Sequence, residues 1–150
     1  MILSAQSIRR RKLLVPFHER TVSHGKTFGL SGAGYDVRIR EAVTLRPGDF
    51  SLASTLERFM MPNDLIARVA DKSSWARKGM TVQNTVIEPG WRGWLTLELA
   101  NHGPNRLVIP EGSPIAQIIF ELLDEPTEQP YEGKYQNQPP EPIGAIEETT

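Results

Sequence analysis

An all-β domain of the sandwich, jelly-roll or barrel kind is the architecture this sequence predicts. Three observations carry that expectation. Gly, Pro and Asn punctuate the chain at short, regular intervals, from Gly25 and Gly29 through Pro47-Gly48, Pro62-Asn63-Asp64 and Pro89-Gly90 to Pro110-Glu111-Gly112. Short runs rich in β-branched and aliphatic residues lie between these stops. Helical patterning is confined to two short stretches. The elements follow in order. Residues 4–12 predict a short N-terminal helix with Ser4 as its cap. Strands are expected at Tyr35–Leu45, Phe50–Glu57, Leu65–Ala70, Trp94–Ala100, Arg106–Ile109 and Ile115–Leu122. Between them, Ser73–Lys78 predicts a central helical turn capped by Ser73 or Ser74. Pro89-Gly90 reads as the tight turn of a hairpin.

Composition narrows the functional classes. The chain has 150 residues, 39% of them hydrophobic and 23% charged, which fits one soluble domain. A formal net charge of -1 gives no global reason to expect nucleic acid or an acidic membrane as partner. With no Cys, disulfides, thiol catalysis and thiolate zinc sites are excluded. His18, His24 and His102 lack metal-ligand spacing, so no metal held by the protein itself is expected. No apolar run approaches the ~20 residues of a membrane span. Met1-Ile2-Leu3-Ser4 lacks a signal-peptide layout, so a cytoplasmic protein is expected.

Charge is unevenly distributed. Residues 1–120 carry 16 basic and 10 acidic side chains, whereas residues 121–150 carry one basic and eight acidic. Five prolines fall in the last 25 residues. Such a segment cannot bury enough apolar surface to fold alone. Residues 130–138 differ from the rest of it, because two tyrosines, a lysine and three side-chain amides crowd into nine positions. That set suits a mobile arm that folds over a ligand, with a disordered end beyond it.

Three stretches could carry chemistry. In Trp94–Ala100 the leucines at 95, 97 and 99 share one face, leaving Glu98 on the other with Thr96. Glu98 is then either a solvated acid on a wet sheet face or a carboxylate held in a cleft as a general base. Asp71-Lys72-Ser73-Ser74-Trp75-Ala76-Arg77-Lys78 puts two hydroxyls and three cations close together. It reads either as a capped amphipathic turn or as a polyphosphate site. In Gly79–Gly93, Glu88 is a turn acid or a ligand residue. The Asn84 amide either stabilises a turn or, by flipping, reads cytosine and uracil edges alike.

The order of these motifs resembles the dCTP deaminase branch of the trimeric dUTPase superfamily. Its marks are Met1-Ile2-Leu3-Ser4, Gly34-Tyr35-Asp36-Val37-Arg38, Ser54-Thr55-Leu56-Glu57, Lys72-Ser73-Ser74-Trp75-Ala76-Arg77, Ile87-Glu88-Pro89-Gly90-Trp91, Leu97-Glu98-Leu99-Ala100-Asn101, Ile115-Ala116-Gln117 and Lys134-Tyr135-Gln136-Asn137-Gln138. The resemblance implies a distorted jelly roll, a dUTPase-like β domain over residues 1–125, with residues 126–150 an arm closing over the active site. It implies a homotrimer with active sites shared between subunits. The substrate would be dCTP, with Mg2+ carried on its phosphates and no zinc. Lys72, Ser73, Ser74 and Arg77 would bind triphosphate. Glu98 would be the catalytic acid–base, with Ser73 and Arg77 helping to hold it and the attacking water. Trp75, Ala76, Glu88, Thr96 and Leu97 would complete the substrate site, and Tyr131, Lys134 and Gln138 would close over it; Asn84, in a stretch where the family normally has a small Ala next to the base, joins the site only on the amide chemistry given above.

Two features depart from the family pattern. Glu88 stands where an Asp usually precedes the Pro-Gly turn, and the stretch from Gly79 to Glu88 is short. The alternatives to simple deamination are a bifunctional enzyme giving dUMP and diphosphate, a dUTPase, and a regulatory trimer that binds nucleotide without catalysis.

Overall fold

The computed structural model describes residues 1–149. A short helix, α1 (Ala5–Arg11), precedes β1 (Leu14–Val15), β2 (Thr21–Ser23), β3 (Lys26–Ser31), β4 (Gly34–Arg38), β5 (Val43–Leu45), β6 (Phe50–Met60) and β7 (Leu65–Asp71). The one-turn α2 (Ser73–Ala76) follows, then β8 (Met80–Val82), β9 (Val86–Ile87), β10 (Arg92–Asn101), β11 (Leu107–Ile109) and β12 (Pro114–Leu122). The strands form a four-stranded sheet in the order β1-β6-β10-β8 and a six-stranded sheet in the order β2-β3-β4-β12-β7-β9, with β5 and β11 a separate pair. Pairing is antiparallel throughout these sheets. The expected all-β jelly-roll class is therefore the one observed.

One apolar core joins the two larger sheets. Phe59, Leu97 and Leu99 enter it from the four-stranded sheet, and Tyr35, Val37, Leu65, Ile118 and Phe120 from the six-stranded one; all are fully buried. Burying side chains of this size stabilises the fold by about 1.5–3 kcal/mol each. The core also takes Ile8 of α1, which docks the N-terminal helix.

Several expected boundaries shift for local physical reasons. The run Tyr35–Leu45 is two strands, because the chain leaves the six-stranded sheet after Arg38 and bridges from Ile39 to Thr55 before β5 begins. The hairpin of β2 and β3 has no Asn-Gly signal: its turn is His24-Gly25, both at positive φ (52° and 71°). Pro89-Gly90 makes a turn but not a hairpin, since β9 pairs with β7 whereas β10 pairs with β6 and β8. The turn carries the chain from one sheet to the other. At α2 the cap position belongs to Lys72, not to Ser73 or Ser74, which lie within the helix. Ser4 caps α1 by position, but its hydroxyl bonds to Ser7 Oγ at 3.3 Å rather than to the helix backbone.

Residues 126–149 form no helix or strand. Residues 130–138 nonetheless lie against the β9–β10 turn. Tyr131 N–H donates to Pro89 O at 2.8 Å, Asn137 N–H to Arg92 O at 2.9 Å, and Trp94 N–H to Gln138 O at 3.1 Å. Gln138 forms a parallel bridge with Gly93. Glycine is required there: at φ 141° a Cβ on Gly93 would lie 2.6 Å from Gln138 N. Further on, Ile143 N–H donates to Thr96 Oγ1 at 3.1 Å and Ile146 N–H to Tyr135 Oη at 2.9 Å. The expected disordered end extends to Thr150, which lies outside the described residues.

Candidate active site

Strand β10 positions the central acid. It pairs with β6 in regular register from Arg92 to Trp94 and again from Thr96 to Ala100, but Thr55, Leu56 and Glu57 stand opposite Leu95 alone. Thr55 Oγ1 satisfies the Leu95 N–H left at this irregularity, at 3.0 Å, and donates to Glu57 O at 2.8 Å. The leucine alternation is therefore only partly kept. Leu97 and Leu99 are fully in the core, while Leu95 is half-buried and lines a cavity beside Thr96 and Glu98.

That cavity has a volume of about 790 Å3. It collects Glu98, Asn84, Glu88, Thr96, Tyr131 and Gln138 from β10, the β8–β9 loop, the β9–β10 turn and the C-terminal segment. Glu98 is half-buried, and its carboxylate makes no hydrogen bond or ion pair with any of the described residues. Burial without a partner pushes its carboxyl above the usual range. A carboxylate so placed holds a proton more tightly than an ordinary surface acid. It therefore suits the repeated taking and giving of a proton.

The walls are tied together through Thr96. Its hydroxyl accepts from Gln138 Nε2 and from the Ile143 N–H. Its carbonyl accepts from Asn84 Nδ2 at 2.7 Å. Asn84 Oδ1 in turn accepts the Glu98 N–H at 2.9 Å. Both ends of the Asn84 amide are thus occupied by backbone. The expected flip between two pyrimidine edges is not available to it, because turning the amide over would set N–H against N–H and C=O against C=O. Tyr131 Oη accepts from the Tyr135 N–H at 3.0 Å, and Trp91 Nε1 donates to Tyr135 O at 2.7 Å. Gln136 spans the same junction, from Gly90 O and Tyr131 O to the Arg92 N–H.

Within one chain the predicted phosphate segment lies elsewhere. None of Lys72 to Arg77 lines the Glu98 cavity. Trp75, Ala76 and Arg77 border a second cavity of about 700 Å3 with Lys78 and Arg106. Lys72 Nζ pairs with Asp36 Oδ2 at 2.7 Å. The Ser73 side is exposed, and Ser74 Oγ is buried with no hydrogen-bond partner among the described residues. Trp75 is buried, with Nε1 donating to Pro114 O at 2.8 Å, so its ring braces the segment more than it faces a ligand. Leu97, expected at the substrate, has its side chain fully in the core, which leaves only its peptide group for a ligand. Lys134 lies outside both cavities and pairs with Glu148 at 3.1 Å.

Sequence reasoning missed three neighbours. Lys26 sits 4.3 Å from the Trp75 ring, and its pKa is lowered by burial and by the charges of Lys78 and Lys72. That crowding of cations marks a site of positive potential, assembled by β3 from a distant part of the chain. Tyr135 and Gln136 stand in the arm motif itself, and their hydrogen bonding is what seats it.

The strand order and this cleft define a fold of the dUTPase type. EIAV dUTPase superposes with a TM-score of 0.60 at 20% identity, over 81% of this chain and 98% of that one. A mutant dUTPase from phage phi11 of S. aureus, known for a structural Mg(II) ion, superposes with a TM-score of 0.58 at 17% identity, over 78% of this chain and 91% of the other. Sequence then separates the branches of this fold. Residues 34–123 match the dCTP deaminase-like family, and the chain belongs to that family. It is 33% identical to a dCTP deaminase of Campylobacter concisus, over 85% of this chain and 87% of the relative. It is 37% identical to a dUMP-forming dCTP deaminase of Methanosphaera stadtmanae, over 69% of this chain and 56% of the relative.

Proposed function

We propose that this protein hydrolyses dCTP to dUTP and ammonia, with Glu98 as the proton shuttle. The observation that carries the reading is the half-buried, unpaired carboxylate of Glu98 on a rigid strand, in a cavity walled by the arm motif. Glu98 takes a proton from water as the oxygen bonds to C4 of the base and the C4–N3 π pair moves to N3. The proton passes to N3. A second proton, from the new hydroxyl, reaches the exocyclic nitrogen through the same carboxylate. The C–N bond then breaks, ammonia leaves, and C4 becomes the uracil carbonyl.

Lys72, Ser73, Ser74 and Arg77 bind the triphosphate in this reading, and Ser73 and Arg77 also steady the water and Glu98. Since none of the four lines the Glu98 cavity within one chain, and Arg77 borders a different one, the working site draws them from a neighbouring subunit of a homotrimer. The exposure of Phe50, 55%, at the rim of the Glu98 cavity supports a covered surface there. Glu88 faces the sugar, and Tyr131, Lys134 and Gln138 belong to an arm that closes on the nucleotide and excludes water. A magnesium ion carried on the triphosphate would neutralise part of its charge beside Lys72 and Arg77. Among the described residues no three His, Asp or Glu side chains converge to hold a metal.

Incubation of the full chain with dCTP and Mg2+, followed by chromatography and ammonia assay, tests the reading. Equal amounts of ammonia and dUTP are expected. Diphosphate and dUMP appearing with the ammonia would assign the dUMP-forming reaction of the Methanosphaera relative. Diphosphate from dUTP with no action on dCTP would make the chain a dUTPase, and binding without any product would make it a regulatory trimer.

A further inference from the structure

We infer that Asn84 is a positioning residue for Glu98: its side-chain amide stands in for a missing strand and fixes the backbone from which the carboxylate projects. The inference rests on the deaminase reading above, because it concerns how the proposed base is aimed.

The β8–β10 ladder runs from Asn101↔Met80 to Leu99↔Val82 and stops. Had β8 continued in register, its backbone would have paired with β10 beside Glu98 and filled the space now open as the cavity. Ending the strand makes room for a ligand, but it strips the cavity-side edge of β10 of partners. Two peptide groups are left bare there, the Thr96 carbonyl and the Glu98 N–H. An unmade bond at a buried edge costs about 1–3 kcal/mol and leaves the strand free to shift.

Asn84 supplies both partners at once. Its Nδ2 donates to Thr96 O at 2.7 Å and its Oδ1 accepts from Glu98 N at 2.9 Å, so one side chain meets both groups, as one residue of a parallel neighbouring strand would, where a continued antiparallel β8 would need two residues. The neighbouring Gln83 N–H donates to Glu98 O at 2.9 Å. The Glu98 peptide is therefore gripped at both its N–H and its C=O by two consecutive residues. On the opposite side Leu52 of β6 pairs with Glu98, so the strand cannot slide away. Asn is the side chain that does this: Asp lacks the donor, Ala and Val lack both groups, and Gln carries both but one methylene further out.

Both polar ends of the amide are taken up by the β10 backbone, so its effect on catalysis passes through Glu98. Misplacing a catalytic group by ~1 Å can cost about 10²-fold in rate. Asn84→Ala is accordingly expected to lower kcat for dCTP by roughly 10- to 100-fold while KM stays within about threefold. Asn84→Gln recovers part of the loss, and Asn84→Asp, which keeps only the acceptor, recovers less. Amide hydrogen exchange across Leu97–Glu98 is followed in the same proteins, and the Glu98 N–H is expected to lose protection in Asn84→Ala with exchange elsewhere in β10 unchanged. The inference is overturned if Glu98 keeps its protection, if kcat is unaffected, or if KM rises while kcat holds, which would make Asn84 a contact to the base. Should wild type release no ammonia, the deaminase reading fails, and the exchange result alone still decides whether Asn84 grips the strand.

Discussion

Replacing Gly93 with alanine tests whether the C-terminal segment is seated by the backbone of the β9–β10 turn. Gly93 has φ 141°, and an added Cβ would meet Gln138 N at 2.6 Å, Gln138 O at 2.9 Å and Gln138 Cα at 3.1 Å. All three are main-chain atoms, so no rotamer change relieves the contact. Either the strained backbone is kept, at about 1–3 kcal/mol, or the segment lifts. Lifting breaks the Trp94–Gln138 and Asn137–Arg92 backbone bonds, each contributing about 1 kcal/mol net. Both routes converge on roughly 2 kcal/mol, about a 30-fold fall in the ratio of docked to undocked arm. The assay is amide hydrogen exchange at Trp94 and Asn137, with the KM for dCTP measured alongside. Protection at these amides is expected to drop by about 30-fold and KM to rise, while the core strand β12 exchanges as before. Protection unchanged within about threefold would refute the argument that the arm is held by this close approach.

Two further predictions follow from the site. Co-expressing Glu98→Gln with Arg77→Ala chains should restore about a quarter of wild-type deaminase activity if each site takes Glu98 from one subunit and Arg77 from another; no recovery above either variant alone would place both residues in one chain's site. Glu98→Gln should also raise Tm at neutral pH. The folded-state carboxyl is raised above its ordinary value of 4.5, so in acid both states are protonated and the two proteins melt together. As pH rises the unfolded chain ionises first, wild type loses stability relative to the variant, and the gap levels off above the raised value. A Tm difference that does not change with pH would contradict the unpaired, half-buried placement of Glu98.

What the sequence made legible was what depends on local pattern. The alternation of Leu97, Glu98 and Leu99 marked a strand with one acid facing away from the core, and that is how β10 lies. Leu95 broke the pattern because its environment is set by Thr55–Glu57 on a strand forty residues away in sequence, about which alternation in β10 carries no information. Pro89-Gly90 announced a turn correctly, but a turn motif does not say whether the strands it joins pair with each other or enter different sheets. Asn84 was noticed for a chemistry its surroundings deny it: the acceptor and donor that hold it are backbone groups of β10, invisible until the strand ladder is seen to stop at Val82. The crowding of Lys26 onto Trp75 likewise arises only from folding.

The central claim is that one carboxylate moves the protons. Single-turnover ammonia release from dCTP by Glu98→Gln, compared with wild type at matched nucleotide occupancy, tests it most directly. The account predicts a rate lower by at least about 10²-fold with the nucleotide still bound; release within a few-fold of wild type would show that the proton travels through another group.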